Sequence, residues 1–287
     1  MRMGRIDGRL ALLHDDRALD VERASNGKFA AEPDRVFERW DEFAQWCEGR
    51  SLDDAVPFSP AQVGAPVLRP SQVFAIGLNY QAHVAEAGVP PKITSPEVFT
   101  KFVTSITGPY DTVMLPSDRV DWEVELVAVI GRPGHRVPER DGWSHVAGLT
   151  VGQDLSERAV QLAGPVPQFS LGKSYPGFSP IGPSLVSVDE FADPDDLALS
   201  CALDGEVLQD GRTKDLIFSV PELVARLSAV VPLVPGDLIF TGTPSGVGMG
   251  RDPERYLQPG GTLVSTVEGI GSLTNRLVAE SSAHGAA

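Results

Sequence analysis

Short apolar runs, separated by glycine, proline and acidic residues, make up most of the chain after residue 68. Runs of this length between turn residues are typical of β-strands. The pattern predicts strands at 73–76, 123–130, 147–153, 197–203, 237–241 and 263–267. Asp204 and Gly205 lie between apolar residues and predict a tight hairpin, because both turn positions favour a positive φ. We therefore expect a mainly antiparallel β architecture.

Two segments have the apolar spacing of a helical face instead. Residues 34–46 carry apolar side chains at such intervals, and residues 220–227 do so after Pro221, which suits a first helical turn. Between them, a cluster of prolines from Pro57 to Pro70 breaks any regular element. The expected fold class is α+β, mainly β, with a small N-terminal α+β domain (1–68) followed by a larger β domain (69–287).

Composition narrows the function classes. The 287 residues include 39 acidic and 24 basic side chains, a formal net charge of −15, and no long basic stripe, which argues against nucleic-acid binding. Cys47 and Cys201 are the only cysteines and are far apart, so neither a CxxC metal ribbon nor a disulfide framework is expected. These features favour a reducing, cytoplasmic setting.

The apolar segments are too short for a membrane protein. Residues 10–13 fall short of a secretory signal, and the most apolar later segments, 124–130 and 230–240, fall short of the ~18 apolar residues that a membrane helix needs. We expect a soluble protein with no membrane partner.

The predicted strand at 123–130 is acidic where it begins. Strand alternation places Glu123 and Glu125 on one face, and both faces are apolar further along, so the strand should be covered on both sides. Unpaired carboxylates are costly on a partly buried surface and therefore need cations. The alternative is that the two glutamates pair with arginines or lie at a wet strand end.

A third carboxylate, Asp154, ends the apolar run 147–153, again at a strand terminus. Two strands can therefore converge on one ion. Three oxygen ligands without cysteine or histidine favour a hard cation, Mg²⁺ first, with Mn²⁺ or Ca²⁺ as alternatives, and disfavour zinc.

The glycine-rich stretch 241–250 follows a predicted strand, as a phosphate-binding loop would. It lacks a Gly-Lys-Ser/Thr ending and a clear following helix, which disfavours a nucleotide site. The alternative is a tight connection that needs glycine only for its turns.

Six motifs in register resemble the fumarylacetoacetate hydrolase family from about residue 70 to 278. They are Gly77-Leu-Asn-Tyr80 with His83 and Glu86, the acidic strand 120–126, Asp154-Leu-Ser-Glu-Arg158, Gly172-Lys-Ser174, Ile181-Gly-Pro183, and the glycine-rich segment 235–248. The resemblance implies a mixed β-sandwich roll as the C-terminal domain. Gln153 stands where relatives commonly have asparagine.

The resemblance also implies roles for individual residues. Glu123, Glu125 and Asp154 would be the metal ligands, and His83 with Glu86 would form a water-activating pair on a short helix over the substrate. Lys173 would be the active-site lysine. The residues expected to contact substrate are Tyr80, Arg158, Gln161 and Thr243. Without the motifs, His83 would be a solvated loop histidine, Lys173 a surface lysine, and Arg158 and Gln161 structural partners of Asp154.

The main functional expectation is Mg²⁺-dependent hydrolysis of a carbon–carbon bond in an acylpyruvate or diketo acid, by a homodimer. The same site would also serve oxaloacetate decarboxylation, isomerisation or tautomerisation of 2-hydroxyhepta-2,4-diene-1,7-dioate, and dehydration or lysis of sugar acids. In each case the partner is a small 2-oxo or enol carboxylic acid. A hypothesis from another class is a catalytically silent metal-binding protein.

Overall fold

The structure, a computed structural model, describes residues 1–88 and 92–280. The strands are β1 Arg2–Ile6, β2 Arg9–His14, β3 Arg17–Asp20, β4 Val56–Pro57, β5 Val63–Gly64, β6 Val73–Gly77, β7 Glu97–Thr100, β8 Ile106–Thr107, β9 Val113–Leu115, β10 Val120–Asp121, β11 Val124–Ile130, β12 Val146–Gln153, β13 Ser156–Glu157, β14 Ser179–Val186, β15 Ala198–Leu203, β16 Glu206–Arg212, β17 Leu238–Phe240, β18 Thr262–Val267 and β19 Gly271–Ala279. The α-helices are α1 Val21–Ala24, α2 Trp40–Cys47, α3 Gln81–Glu86, α4 Arg158–Gln161, α5 Phe169–Gly172 and α6 Val220–Ser228. Short 3₁₀ segments are Pro33–Arg39, Pro60–Gln62, Val103–Ser105, Glu139–His145, Val188–Glu190 and Thr213–Asp215.

Two main sheets carry the fold. The larger has the order β4-β3-β2-β1-β14-β12-β11-β17-β6-β7, with β5 on β1 and β8 on β14. The smaller has the order β16-β15-β18-β19-β9, and β10 pairs with β13 separately. Neighbouring strands are antiparallel except at β17/β6, β14/β8 and β19/β9. The expected α+β fold that is mainly β is confirmed.

The six strands predicted from the apolar pattern are confirmed as β6, β11, β12, β15, β17 and β18, with ends shifted by a residue or two. The Asp204–Gly205 hairpin joins β15 to β16 with φ values of 50° and 87°. Helix α6 confirms the helix predicted after Pro221, and Ser219 caps it by accepting from Glu222 N. The 34–46 segment divides into a 3₁₀ turn followed by α2.

Strand β11 separates two hydrophobic cores. Alternate residues Val124, Leu126 and Ala128 belong to a core shared with the smaller sheet, whereas Val127 and Val129 belong to a core on the opposite side. The strand is thus covered on both faces, as its apolar pattern predicts. The two carboxylates at its beginning are therefore carried by a strand whose residues are all buried.

The N-terminal segment packs directly on the larger sheet. Strand β1 pairs with β14 through Arg2↔Val186 and Met3↔Leu185, so the first strands extend that sheet. Phe37, Trp40 and Phe43 belong to the same core as Val127. The division of the chain near residue 68 stays a prediction.

Strand register places the start of β11 and the ends of β12, β17 and β6 at the same end of the central strands of the larger sheet. Val124 pairs with Gln153, and Val127 pairs with Phe240, which itself pairs with Ala75. The residues just beyond these pairs begin β11 or follow β12, β17 and β6. Each chain segment that has a predicted site residue at a strand end therefore lies at this end of the central strands.

Candidate metal centre and active site

The three carboxylates predicted as metal ligands lie together. Glu123, Glu125 and Asp154 are buried, and one oxygen from each lies within 4.8 Å of the others. Their convergence follows from the antiparallel pairing of β11 with β12, which places Asp154 N within 2.9 Å of Glu123 O. Three buried carboxylates without cysteine or histidine fit a hard divalent cation.

Buried cations surround this acidic triad. Lys173 Nζ donates to Glu123 Oε2, Asp154 Oδ2 and Ser156 Oγ, each at 2.7 Å. Arg158 Nη2 lies 2.7 Å from Glu123 Oε1. Lys173, predicted as the active-site lysine, is thus a fully buried group and not a surface side chain.

The pKa values of the two glutamates shift in opposite directions. Burial would raise the pKa of Glu123, but the charges of Lys173, Arg158 and His83 outweigh it and lower that pKa to about 2. Burial, reinforced by the charges of Asp154 and Glu123, raises the pKa of Glu125 well above its ordinary value. Glu125 is therefore the carboxylate from which a bound divalent cation would displace a proton.

Charge counting shows what the site attracts. The described cluster contains four buried carboxylates and three buried cations, namely Asp121, Glu123, Glu125, Asp154, Lys101, Lys173 and Arg158. With all of these ionised the cluster carries one net negative charge, and a divalent cation would make it net positive. Such a site favours an anionic ligand.

His83 and Glu86 form a close pair on helix α3. His83 Nδ1 lies 2.9 Å from Glu86 Oε2, and both side chains are largely buried. Their i, i+3 spacing on a helix brings the two side chains together. This contact leaves His83 Nε2 as the nitrogen that can exchange a proton with a ligand.

The turn before α3 is fixed by a buried amide. Leu78 has a φ of 55°, and Asn79 Nδ2 donates to Thr241 O at 2.7 Å and to Phe218 O at 3.0 Å. Asn79 Oδ1 in turn accepts from Phe218 N at 2.8 Å. The amide therefore joins the start of α3 to the loop after β17.

Tyr80 and Thr243, predicted to contact substrate, differ in their surroundings. Among residues 1–88 and 92–280, the buried Tyr80 hydroxyl has no hydrogen-bond partner, and burial together with the charges of Glu125 and Asp215 raises its pKa. The Thr243 hydroxyl is engaged within the protein, since it donates to Val124 O at 2.9 Å and accepts from Gln209 Nε2 at 2.8 Å. Tyr80 is thus the better placed of the two to bond a ligand.

Arg158 and Gln161 face each other on α4. Arg158 Nη1 donates to Gln161 Oε1 at 2.8 Å, while Nε and Nη2 donate to Asp121 Oδ2 at 2.9 and 2.7 Å. Arg158 does not bond Asp154, which would be its partner if Arg158 had only a structural role. Its guanidinium instead joins Asp121 to Glu123.

Lys101 is a site residue that the motifs missed. It is fully buried, and its Nζ donates to Asp154 Oδ1, to Lys173 O and, at 3.2 Å, to Phe178 O. Burial lowers its pKa against the opposing charge of Asp154. The available signal was the scarcity of lysine, of which the chain has five.

The glycine-rich stretch after β17 contributes backbone donors. Gly242 N donates to Glu125 Oε2 at 2.8 Å, and Gly246 N donates to Glu86 Oε1 at 2.9 Å. A Cβ at Gly242 would lie 2.7 Å from Asn79 Cβ, and the φ there is +106°. Glycine here therefore permits both a close approach and a left-handed backbone.

Comparisons with known proteins identify the family. Residues 72–278 match the family model described as fumarylacetoacetate (FAA) hydrolase C-terminal. The human oxaloacetate tautomerase FAHD2A, mitochondrial, is 44% identical over 226 residues, which are 78% of this chain and 71% of that protein.

Solved structures are similar over nearly the whole chain. A crystal structure of a protein from Mycobacterium smegmatis has a TM-score of 0.93 and 52% identity, covering 98% of this chain and 100% of that one. Maleylpyruvate hydrolase from Sphingobium sp. SYK-6, in complex with manganese(II) ion and pyruvate, has a TM-score of 0.81 and 26% identity with the same coverage. Within the part of the chain described, no helix has the length and apolar character to cross a membrane.

Proposed function

The chain belongs to the fumarylacetoacetate hydrolase family, and on that premise we propose that it is a Mg²⁺-dependent enzyme that interconverts the enol and keto forms of oxaloacetate or a closely similar 2-oxo dicarboxylate. The observation that carries the proposal is the buried acidic triad bridged by Lys173, with the His83–Glu86 pair close enough to influence Glu123. This geometry serves each of the activities expected from the sequence, and it is the similarity to a relative named an oxaloacetate tautomerase that favours the alternative readings over carbon–carbon hydrolysis.

The relatives support the choice of substrate. The human protein similar to this chain is named an oxaloacetate tautomerase, and its identity of 44% extends over 78% of the chain. Oxaloacetate carries two carboxylates, which suits a centre that becomes net positive once a divalent cation is bound.

The reaction requires the protein to move one proton. Conversion of the enol to the keto form removes the proton from O2 and adds one to C3, with no water consumed and no oxidant or reductant. His83 Nε2 is the group that would transfer this proton, while Glu86 holds the ring through Nδ1 and stabilises its charged form. Proton transfer by a positioned side chain typically contributes ~10²–10⁴-fold to the rate.

The remaining residues stabilise negative charge. Lys173 and Arg158 are fixed by hydrogen bonds before substrate arrives, so they need little reorganisation as the enolate charge develops. When bound at the triad, Mg²⁺ supplies Lewis-acid polarisation of substrate oxygens. The Tyr80 hydroxyl offers a further hydrogen bond to a ligand oxygen.

The test is an assay of enol oxaloacetate. With Mg²⁺, the wild-type protein should speed the loss of the enol's ultraviolet absorbance while the total oxaloacetate concentration stays constant. His83→Ala should lower kcat by ~10²–10⁴-fold, whereas His14→Ala, at an exposed histidine, should not change it. A wild-type rate equal to that of buffer with Mg²⁺ would refute the proposal.

Carbon–carbon hydrolysis remains the second candidate, because the manganese- and pyruvate-bound structure of a maleylpyruvate hydrolase is similar to this chain. Here His83 would take a proton from water, and each turnover would release pyruvate and a second carboxylic acid. Pyruvate release from acylpyruvates at a higher kcat/KM than oxaloacetate tautomerisation would select this reaction. Pyruvate formed from oxaloacetate itself would indicate decarboxylation instead.

Two further expectations are tested on the same preparation. A catalytically silent binding protein would bind Mg²⁺ and oxalate in a calorimeter yet turn over none of these substrates. The homodimer implied by the family resemblance predicts a light-scattering mass twice that of the 30.6 kDa chain. A mass of one chain would contradict it.

A further inference from the structure

The loop 246–250 is attached to the carboxylate that orients His83. Gly246 N donates to Glu86 Oε1 at 2.9 Å, so this loop and His83 bind opposite oxygens of the same carboxylate. A Cβ on Gly250 would lie 2.4 Å from Glu86 Cγ, which shows how closely the loop backbone packs there. The position of Glu86 therefore depends on the position of the loop.

The middle of the same loop is attached to Asp121. Gly248 N donates to Asp121 Oδ1 at 2.7 Å, and Met249 N donates to Oδ2 at 2.9 Å. Asp121 is fully buried, and it also accepts from Trp122 N and from the Arg158 guanidinium. One carboxylate thus receives hydrogen bonds from three separate parts of the chain.

Arg158 extends this connection to the acidic triad. Its Nη2 lies 2.7 Å from both Asp121 Oδ2 and Glu123 Oε1. A continuous set of contacts therefore runs from Glu123 through Arg158 and Asp121 to the loop, and from the loop to Glu86.

We propose that Asp121 is a positioning residue that holds Arg158 against Glu123 and holds the 246–250 loop against Glu86, so that the proton-transfer pair and the acidic triad keep one relative geometry. The inference rests on the proposed function, because it assumes that His83 and Glu86 move the proton. Asp121 itself is not a member of the triad and acts only through Arg158 and the loop.

Asp121→Asn separates charge from shape. The amide keeps one acceptor oxygen and replaces the other by an NH₂ group. When Oδ1 is the oxygen kept, this NH₂ group faces two donors, Arg158 Nη2 and Met249 N. Two donors cannot bond each other, so the loop and Arg158 lose a shared anchor. We expect kcat at saturating Mg²⁺ to fall at least tenfold, and the Mg²⁺ dissociation constant to rise by no more than the ~10–100-fold that loss of an outer partner costs.

A double-mutant cycle tests the connection to Glu86. Because part of the effect of Asp121 passes through the loop to Glu86, Asp121→Asn should lower kcat by a factor at least threefold smaller when Glu86→Gln is already present. Two effects that simply multiply would overturn the proposal, because they would show that Asp121 and Glu86 act independently.

Asp237→Asn is the matched control. Asp237 is also fully buried and also accepts backbone N–H bonds, from Gln72 at 2.9 Å and Val234 at 2.8 Å, but it lies at the beginning of β17, opposite the site. It should lower stability to a similar degree while its effect on kcat stays below threefold and multiplies with that of Glu86→Gln. A coupling as large as that of Asp121 would show a general loss of stability instead.

Amide hydrogen exchange gives a readout that needs no activity. In Asp121→Asn, the Gly246 amide should exchange at least tenfold faster, relative to the Val151 amide in β12, than it does in the wild type. The effect would pass through the loop, because the Gly246 amide donates to Glu86 and not to Asp121. Asp237→Asn should leave this ratio unchanged. An unchanged ratio in Asp121→Asn overturns the positioning role, whereas an inactive wild-type protein with the expected exchange would overturn only the proposed function.

Discussion

At the scale of single residues, the site contains two kinds of buried carboxylate. Asp121 pairs with Arg158, and Glu123 pairs with Lys173. Glu125 instead has a raised pKa, because burial and its acidic neighbours disfavour its charge. An unpaired buried charge is costly, so the triad is an arrangement that a divalent cation would stabilise.

Asp154→Asn should remove metal binding. The substitution takes one anionic ligand from the triad, and the loss of affinity should exceed the ~10–100-fold that loss of an outer partner costs. Titration calorimetry with Mg²⁺ measures it. Asp210→Asn, at an exposed position on β16, is the matched change and should leave affinity unaltered. Equal affinity in both variants would remove Asp154 from the ligand set.

Lys101→Met should be strongly destabilising without substrate or metal. It leaves Asp154 Oδ1 and the carbonyls of Lys173 and Phe178 without their common donor, and breaking a buried ion pair costs ~3–5 kcal/mol. Urea unfolding measures the change. The exposed pair of Lys214 with Asp196 serves as control, since Lys214→Met should cost at most ~1 kcal/mol. Similar losses in both variants would contradict the structural role of Lys101.

At the scale of elements, two short helices place two of the three buried cations of the site. Helix α4 carries Arg158 and Gln161, and Lys173 follows α5 directly. The two helices meet at Gly172, where a Cβ would lie 2.5 Å from Gln161 N and 2.7 Å from its Cα. Because the obstructing atoms are backbone, no side-chain rotation can relieve the contact.

Gly172→Ala should therefore move Lys173 and lower kcat by about 10²-fold, the usual effect of displacing a site group by ~1 Å. Steady-state kinetics at saturating Mg²⁺ test this. Gly164→Ala is the comparison, because its φ of +79° adds backbone strain while no atom lies within 4 Å of the new Cβ. That variant should lose stability, by ~1 kcal/mol, and keep its kcat. A normal kcat in Gly172→Ala would show that α5 adjusts freely.

At the scale of the whole molecule, the larger sheet carries the acidic strand β11, and the smaller sheet packs against one face of that strand. Gln153 on β12 accepts from Glu123 N at 2.9 Å and donates to Ser265 Oγ at 2.9 Å and to Cys201 Sγ at 3.3 Å, both on the smaller sheet. Gln153 thus bonds across both sheets. This joins the metal-ligand strand to the second sheet.

The buried thiol in this contact predicts how stability depends on pH. Burial raises the pKa of Cys201 from 9.0 to about 12, so between these values the folded state binds a proton that the unfolded state has lost. Its contribution is fully present below pH 9 and is lost as pH rises towards 12. Wild type should lose up to ~1.4 kcal/mol per pH unit more than Cys201→Ser. Equal slopes in urea titrations across this range would contradict the shift.

Much of the molecule could be predicted from local patterns. Apolar period, turn residues and Pro221 predicted the six strands, the Asp204–Gly205 hairpin and helix α6, because each depends on a few neighbouring residues. The ordered motifs indicated the family and the acidic triad, since those residues stand at strand ends that the pattern already marked. Lys101 was missed because it stands in none of the six motifs, and Asp121 because the resemblance assigned roles in the acidic strand 120–126 to Glu123 and Glu125 alone.

The sequence by itself therefore determined the six strands named above, the Asp204–Gly205 hairpin, helix α6, the family and the identity of the residues at strand ends. Only the tertiary structure decided that Lys101 lies under Asp154, that Arg158 bonds Asp121 rather than Asp154, and that the Thr243 hydroxyl is engaged by Val124 and Gln209. The physical reason is that these contacts join residues distant in the chain. Sheet register and the packing of short helices, which no local spacing encodes, set their distances.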